Sequence, residues 1–161
     1  MSSRTQTDRR DSAQLVQILL VEDSSADVEL TRQALSEAKV ANTVHVVADG
    51  EAAMDFVQRQ GNYGDAPRPD LILLDLNLPK KDGREVLVEL KSDPSLHTIP
   101  VVVLTTSASD QDVLRSYDDQ VNSYIRKPIR LEDFIHVVRS IDDYWLGIVS
   151  LPRGSPGLSS S

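Results

Sequence analysis

The chain has 161 residues, of which 40% are hydrophobic, and its 17 basic and 25 acidic side chains give a formal net charge of −8. These values are typical of one globular domain with a proper core, and the acidic balance argues against sequence-independent binding of nucleic acid, which depends on Lys and Arg. The absence of cysteine excludes disulfides, thiol nucleophiles and cysteine-bound zinc.

Two polar segments of low complexity flank the predicted domain. We expect a disordered lead over residues 1–15, a domain over residues 16–150 and a disordered tail over residues 151–161. The first residues lack the apolar segment of a secretory signal, and the apolar runs are far shorter than the roughly 20 residues of a membrane-spanning helix. We therefore expect a cytoplasmic protein that does not bind membranes.

Between these segments, predicted strands and helices alternate. We predict strands at 17–22, 43–48, 71–75, 101–105 and 123–126, and helices at about 25–39, from Gly50, at about 84–92, at about 110–117 and after Pro128. Short Val- and Ile-rich runs without polar alternation are typical of strands buried on both faces of a parallel sheet. Ser24 followed by Asp27 resembles a capping box at the start of the first helix. Five βα units predict a doubly wound α/β domain with strand order 2-1-3-4-5.

Four of these strands end at polar side chains. Glu22 and Asp23 follow the first apolar run, and Asp75 ends the third strand. Thr105 ends the fourth strand, and Lys127 follows the fifth. In open parallel sheets, ligands and chemistry lie beyond the carboxyl ends of the strands, so we expect these side chains at one edge. Three carboxylates, a hydroxyl and an ammonium suit a divalent cation and a phosphoryl group.

The motifs at these strand ends resemble those of the receiver domain of two-component response regulators. The matching segments, in the order and at the intervals of the family, are Val21-Glu22-Asp23, 75–83, 100–105 and 124–128. The resemblance covers roughly residues 16–147 and implies the flavodoxin-like receiver fold. Within the family, the chain is similar to the stand-alone regulators that partner bacterial and cyanobacterial phytochromes. That similarity lies in 100–107, in Asp93-Pro94 and in 143–152.

The resemblance implies a phosphorylation site and a magnesium site. Asp75 would accept a phosphoryl group from a histidine kinase and form an aspartyl phosphate. Asp23, Asp75 and the backbone carbonyl of Asn77 would bind Mg²⁺ directly, and Glu22 would hold a water bound to the metal.

The resemblance also assigns roles to three residues beside the acceptor. Lys127 would direct its ammonium at Asp75 and the phosphoryl group, and Thr105 would donate its hydroxyl to a phosphoryl oxygen. Tyr124 would be the switch partner that turns inward when Thr105 moves. The alternative for Tyr124 is an ordinary half-buried side chain on a strand.

The end of the last predicted helix is apolar around most of its circumference. The side chains that cause this include Tyr144, Trp145, Ile148 and Val149. A helix that is apolar on all sides needs cover on more than one side, and an exposed apolar patch commonly marks a partner site. We expect this helix to extend past the usual family end and to form a homodimer interface. The alternative is that the segment folds back over its own core.

We therefore predict a single-domain response regulator that signals through protein contacts, with no separate output module. It would catalyse its own phosphorylation and slow hydrolysis, without turnover of an external substrate. A phosphatase of the haloacid-dehalogenase type would carry a second Asp where this chain has Asn77. In a flavodoxin-like cofactor carrier, Glu22 and Asp23 would repel the cofactor phosphate. A degenerate receiver that only binds partners is disfavoured because no member of the acidic pocket is missing.

Overall fold

The computed structural model describes residues 16–37, 42–105, 123–127 and 130–140. The strands are β1 (Val16–Val21), β2 (Asn42–Val47), β3 (Leu71–Asp75), β4 (Val101–Thr105) and β5 (Ser123–Arg126). The helices are α1 (Ser25–Glu37), α2 (Gly50–Gln58), α3 (Gly83–Ser92) and α4 (Leu131–Ser140), with a 3-10 turn at Gly61–Tyr63. The strands form one parallel sheet in the order β2-β1-β3-β4-β5, which confirms the predicted topology.

The predicted boundaries agree with the structure to within about two residues wherever the chain is described. The first two strands each begin one residue earlier than predicted, and the ladder between them pairs Val16 with Asn42 and Val21 with Val47. The predicted helix at 110–117, the two terminal segments and the extension of the last helix past residue 140 lie outside the described residues.

Two hydrophobic clusters cover the two faces of the sheet. Successive side chains of a strand point to opposite faces, so each of the strands β1 to β4 contributes to both clusters. Leu19, Ile72 and Val103 belong to the cluster that packs against α2 and α3. Leu20 and Leu73 belong to the cluster that packs against α1. Every residue of β3 and β4 is buried, as expected for the centre of a parallel sheet.

The starts of α1, α2 and α3 are capped by acidic or hydroxyl side chains. Asp49 accepts a hydrogen bond from the Ala52 N–H at the start of α2, and Asp82 forms a full capping box with Glu85 at the start of α3. Each cap satisfies backbone donors that have no partner inside the helix. Within the described residues, no helix is long and apolar enough to cross a membrane.

The capping box predicted at the start of α1 is only half formed. The Asp27 N–H donates to Ser24 Oγ over 3.2 Å, as expected. The Ser24 N–H, however, donates to Glu22 Oε2 over 3.2 Å, and the Asp27 carboxylate contacts Lys127 instead. An ammonium brought in from β5 is a stronger partner for the carboxylate than a neighbouring amide.

Candidate functional site

The carboxyl ends of β1, β3, β4 and β5 lie side by side and bring the predicted site residues together. Register pairs Val21 with Leu74 on β3, and it pairs Thr105 with Arg126, the residue before Lys127. The Lys127 N–H donates to the Thr105 carbonyl over 2.8 Å, which holds the start of the Lys127 side chain beside β4.

The Lys127 ammonium lies between buried carboxylates. Its Nζ lies 2.6 Å from Glu22 Oε1 and 3.1 Å from Asp75 Oδ2. Glu22 and Asp75 are buried, with 2% and 5% of their surface exposed, so these ion pairs lie in a region of low dielectric constant. A buried charge is costly unless it is paired, and here one ammonium serves both acids.

Backbone amides fix the second oxygen of each buried acid. Glu22 Oε2 accepts the Ser24 N–H over 3.2 Å, and Asp75 Oδ1 accepts the Asn77 N–H over 3.2 Å. Each carboxylate is therefore oriented by one oxygen, while the other meets Lys127.

Three acids at this edge could hold a metal ion. One carboxylate oxygen each from Glu22, Asp23 and Asp75 lies within 4.8 Å of the others, and Asp23 is exposed to solvent. Oxygen ligands and a site open to water on one side suit a small divalent cation that keeps part of its hydration shell. A single ammonium does not neutralise these three carboxylates, so the residues present fit such a cation.

Burial and the close approach of these charges shift the pKa values of Glu22 and Lys127. Burial raises the pKa of Glu22 to about 7, helped by the charge of Asp75 and opposed by the hydrogen bond from Lys127. Burial also lowers the pKa of Lys127, but its bonds with Glu22 and Asp27 and the charge of Asp75 raise that pKa above its ordinary value overall. Lys127 is therefore charged at neutral pH, and a cation beside Glu22 would favour its ionised form.

Asp27 is a member of the site that sequence analysis missed. It lies in the first turn of α1, and its Oδ2 is 3.0 Å from Lys127 Nζ. Its side chain is 32% exposed, so Lys127 contacts one partly exposed acid as well as two buried ones. The sequence places Asp27 in the first turn of the helix that directly follows Glu22 and Asp23, which could have indicated a position near the site. We interpreted Asp27 as a capping residue instead.

The loop after Asp75 is folded tightly against its own strand end. The Gly83 N–H donates to the Leu76 carbonyl over 2.9 Å. A Cβ on Gly83 would overlap the carbonyl oxygen of Asp75, and one on Gly50 would overlap the carbonyl of Lys81. Only glycine allows these approaches, so two glycines determine where the loop beside Asp75 can lie.

The remaining predicted residues are only partly covered by the structure. Thr105 is buried at the end of β4, next to the Asp75 strand. The backbone of Tyr124 pairs with Val103 on β4, but its side chain lies outside the described residues. The predicted interface residues Tyr144, Trp145, Ile148 and Val149 also lie outside them. The metal role of the Asn77 carbonyl, the switch and the homodimer stay predictions.

Comparisons with known proteins agree with this geometry. The sequence profile of the response regulator receiver domain matches residues 18–139. Response regulator Rcp1 from Synechocystis sp. is 53% identical over 135 residues, which cover 84% of this chain and 92% of Rcp1. The Mn²⁺-bound form of Rcp1 has a TM-score of 0.67 at 52% identity, covering 81% of this chain and 94% of that one.

Two further solved structures are regulators associated with phytochromes. The bacteriophytochrome response regulator RtBRR has a TM-score of 0.75 at 43% identity, covering 80% of this chain and 78% of that one. The phosphorylated cyanobacterial phytochrome response regulator RcpA has a TM-score of 0.68 at 52% identity, covering 82% and 94%. The chain therefore belongs to the response regulator receiver domain family and is related to the phytochrome response regulators, as the sequence predicted.

Proposed function

We propose that this chain is a response regulator that accepts a phosphoryl group on Asp75, in a reaction that requires Mg²⁺. The observation that carries the proposal is the convergence of three carboxylates within 4.8 Å and of Lys127 Nζ, 3.1 Å from Asp75, at one strand end. Support also comes from relatives described as phosphorylated and as Mn²⁺-bound.

In this proposal, Asp75 is the nucleophile. One oxygen of its carboxylate would attack the phosphorus, the bond from phosphorus to the donor atom would break, and the electron pair would leave with the donor. Asp23, Asp75 and the Asn77 carbonyl would hold Mg²⁺, with Glu22 contributing through a water. The bound cation would neutralise charge on the phosphoryl oxygens.

The neighbouring side chains would stabilise the transferred group. Lys127 would donate to a phosphoryl oxygen as a point charge on a flexible stem, and Thr105 would donate its hydroxyl to another. Movement of Thr105 toward the phosphoryl group would allow Tyr124 to turn inward, which would carry the signal to the surface of β4 and β5. Slow hydrolysis would end the signal, and no external substrate would be turned over.

Intact-protein mass spectrometry with acetyl phosphate and Mg²⁺ tests the proposal directly. We expect a gain of about 80 Da, one phosphoryl group, that is lost in Asp75→Asn and on addition of EDTA. Asp70→Asn is the matched control because Asp70 precedes the same strand at its opposite end, and this variant should be modified like the parent. Phosphorylation of Asp75→Asn would contradict the assignment of the acceptor.

We further propose that the donor is a histidine kinase of the phytochrome type, and that the reaction takes place in the cytoplasm. The support is the relation to phytochrome response regulators. Purified, autophosphorylated phytochrome kinase should transfer its phosphoryl group to this chain within minutes and faster than a kinase from an unrelated system. Equal transfer from both kinases would contradict the proposed phytochrome partner. It would not affect the assignment of Asp75 as the acceptor.

The output is proposed to be a homodimer contact through the last helix and its extension, at Tyr144, Trp145, Ile148 and Val149. The support is the apolar character of this segment in the sequence. Size-exclusion chromatography with light scattering should give a dimer mass at micromolar concentration for the parent and a lower mass for Trp145→Ala. A monomer mass for the parent would contradict the homodimer.

A further inference from the structure

Three carboxylates share the Lys127 ammonium, and they are not equivalent. Glu22 Oε1 lies 2.6 Å, Asp27 Oδ2 3.0 Å and Asp75 Oδ2 3.1 Å from Nζ. Asp27 and Asp75 accept hydrogen bonds from Nζ, and the contact with Glu22 Oε1 is a close ion pair. Glu22 and Asp75 belong to the group of acids that could hold a metal ion among the described residues, whereas Asp27 does not.

A cation at the acidic cluster would change the partners of Lys127 unequally. It would attract the oxygens of Glu22 and Asp75, and its positive charge would repel the ammonium. Asp27, in the first turn of α1, is not one of the three acids that converge at this cluster, so the cation would not draw its carboxylate away from Lys127. When the metal binds, the position of the Lys127 ammonium would therefore depend more on its attraction to Asp27 and less on its attraction to Glu22 and Asp75.

Asp27 is also well placed to hold a flexible side chain. The four-carbon stem of lysine has many rotamers, and restricting it to one costs conformational entropy. The Asp27 backbone is fixed by the bond from its N–H to Ser24 Oγ over 3.2 Å. The Ser24 N–H is in turn bonded to Glu22 Oε2. A rigid helix start therefore presents the Asp27 carboxylate to Lys127.

We propose that Asp27 is a positioning residue for phosphoryl transfer, which holds the Lys127 ammonium beside Asp75 once a cation has drawn Glu22 and Asp75 toward itself. This inference rests on the proposed function. It adds a residue of α1 that acts on the phosphoryl group only through Lys127.

The main test compares Asp27→Asn with Glu29→Gln. Both remove one negative charge from α1, and Glu29 is exposed. At saturating Mg²⁺, the initial rate of phosphorylation by acetyl phosphate should fall about tenfold in Asp27→Asn, since a charged hydrogen bond is lost, and stay at the parent value in Glu29→Gln. The dissociation constant for Mg²⁺, measured by calorimetry without a phosphoryl donor, should change less than about twofold because Asp27 is not a metal ligand.

A double-mutant cycle separates positioning from a structural role. In a Lys127→Met background, Asp27→Asn should cause no further loss of rate, because its effect passes through Lys127. Asp27→Glu keeps the carboxylate and should retain more activity than Asp27→Asn. An unchanged rate in Asp27→Asn, or losses that simply add in the double variant, would overturn the inference.

A second readout does not depend on phosphorylation. Acetic anhydride labels accessible amines, and mass spectrometry of peptides gives the labelling of Lys127 relative to the exposed Lys80 in the same sample. With Mg²⁺ bound, Asp27→Asn should raise this ratio several-fold, whereas Glu29→Gln should leave it unchanged. Equal ratios in the parent and in Asp27→Asn would overturn the inference. Failure of the parent to be phosphorylated would contradict the proposed function, and the labelling would still decide the role of Asp27.

Discussion

The two edges of the sheet use similar polar residues in different ways. At the amino edge, charged groups bond to the backbone: Asp70 Oδ2 accepts the Gln17 N–H over 2.8 Å, and Lys91 Nζ donates to the carbonyls of His97 and Ile99 over 3.1 and 2.8 Å. At the carboxyl edge, the Lys127 ammonium contacts three carboxylates among the residues that the structure describes.

The comparison distinguishes interactions that stabilise the fold from interactions that can change when a ligand binds. The backbone groups at the amino edge are not ligands for a metal or a phosphoryl group, so we expect their hydrogen bonds to stay the same when a ligand binds. Carboxylates around one ammonium can exchange that partner for a metal ion or a phosphoryl group. The carboxyl edge is therefore the part of the sheet whose interactions depend on ligands.

The largest expected effect is that of Lys127→Met. In EDTA, this variant leaves buried carboxylates without their counter-charge, and the free energy of unfolding should fall by about 3 kcal/mol. Mg²⁺ should restore a large part of that loss because it supplies positive charge to the same acids. Urea unfolding with and without Mg²⁺ measures both values. Equal losses in the two conditions would show that the carboxylates do not respond to the cation.

Gly83→Ala should have the next largest effect. The new Cβ would overlap the Asp75 carbonyl, so the loop must shift, and the free energy of unfolding should fall by about 2 kcal/mol. The same shift should slow phosphorylation by acetyl phosphate. Gly64→Ala is the matched control, since nothing lies within 4 Å of a Cβ there. Unchanged stability and phosphorylation in Gly83→Ala would contradict the tight approach of this loop to its strand.

Lys91→Met tests the amino edge. The variant removes two hydrogen bonds to backbone carbonyls, and we expect a loss of about 1 kcal/mol in the free energy of unfolding. Mg²⁺ should not restore this loss, and the phosphorylation rate should match that of the parent. If Lys91→Met slowed phosphorylation as much as Lys127→Met does, the two edges of the sheet would not be independent.

The smallest expected effect is a dependence on pH at His45. Burial lowers the pKa of His45, whose Nε2 lies 2.8 Å from Gln17 Oε1. The folded state therefore binds a proton less readily than the unfolded state, and stability is lost as pH falls below the ordinary value of 6.5. Between pH 7 and pH 5.5, the free energy of unfolding of the parent should fall more than that of His45→Gln. The difference should stay below about 0.5 kcal/mol, because partial exposure screens the charge. If the parent instead gained stability relative to His45→Gln over this interval, the lowered pKa of His45 would be contradicted.

Much of the fold was predictable because its signals are local. The run Leu71–Asp75 is apolar up to its final carboxylate, and the structure gives a buried strand with the same bounds. The alternation of strands and helices and the handedness of crossovers limited the possible strand orders, and 2-1-3-4-5 was predicted as the common order for a domain of this size. The edge at which Glu22, Asp75 and Lys127 meet followed from the parallel direction of the strands.

The contacts inside the site were less predictable because they join distant parts of the chain. Asp27 was interpreted as half of a capping box with Ser24, which is the best partner visible within a few residues. Its actual partner, Lys127, lies 100 positions away in the sequence. The close approaches at Gly50 and Gly83 were missed for the same reason, since each depends on another segment packing against the glycine.

The sequence by itself determined the elements, their direction and the edge that gathers the reactive side chains, because apolar periodicity and strand direction are properties of short segments. Only the tertiary structure decided that Glu22, Asp27 and Asp75 share one ammonium and that backbone amides orient two of these acids. The physical reason is that the position of an ammonium on a flexible stem depends on the sum of the charges around it, which exists only after β1, α1, β3 and β5 have packed together.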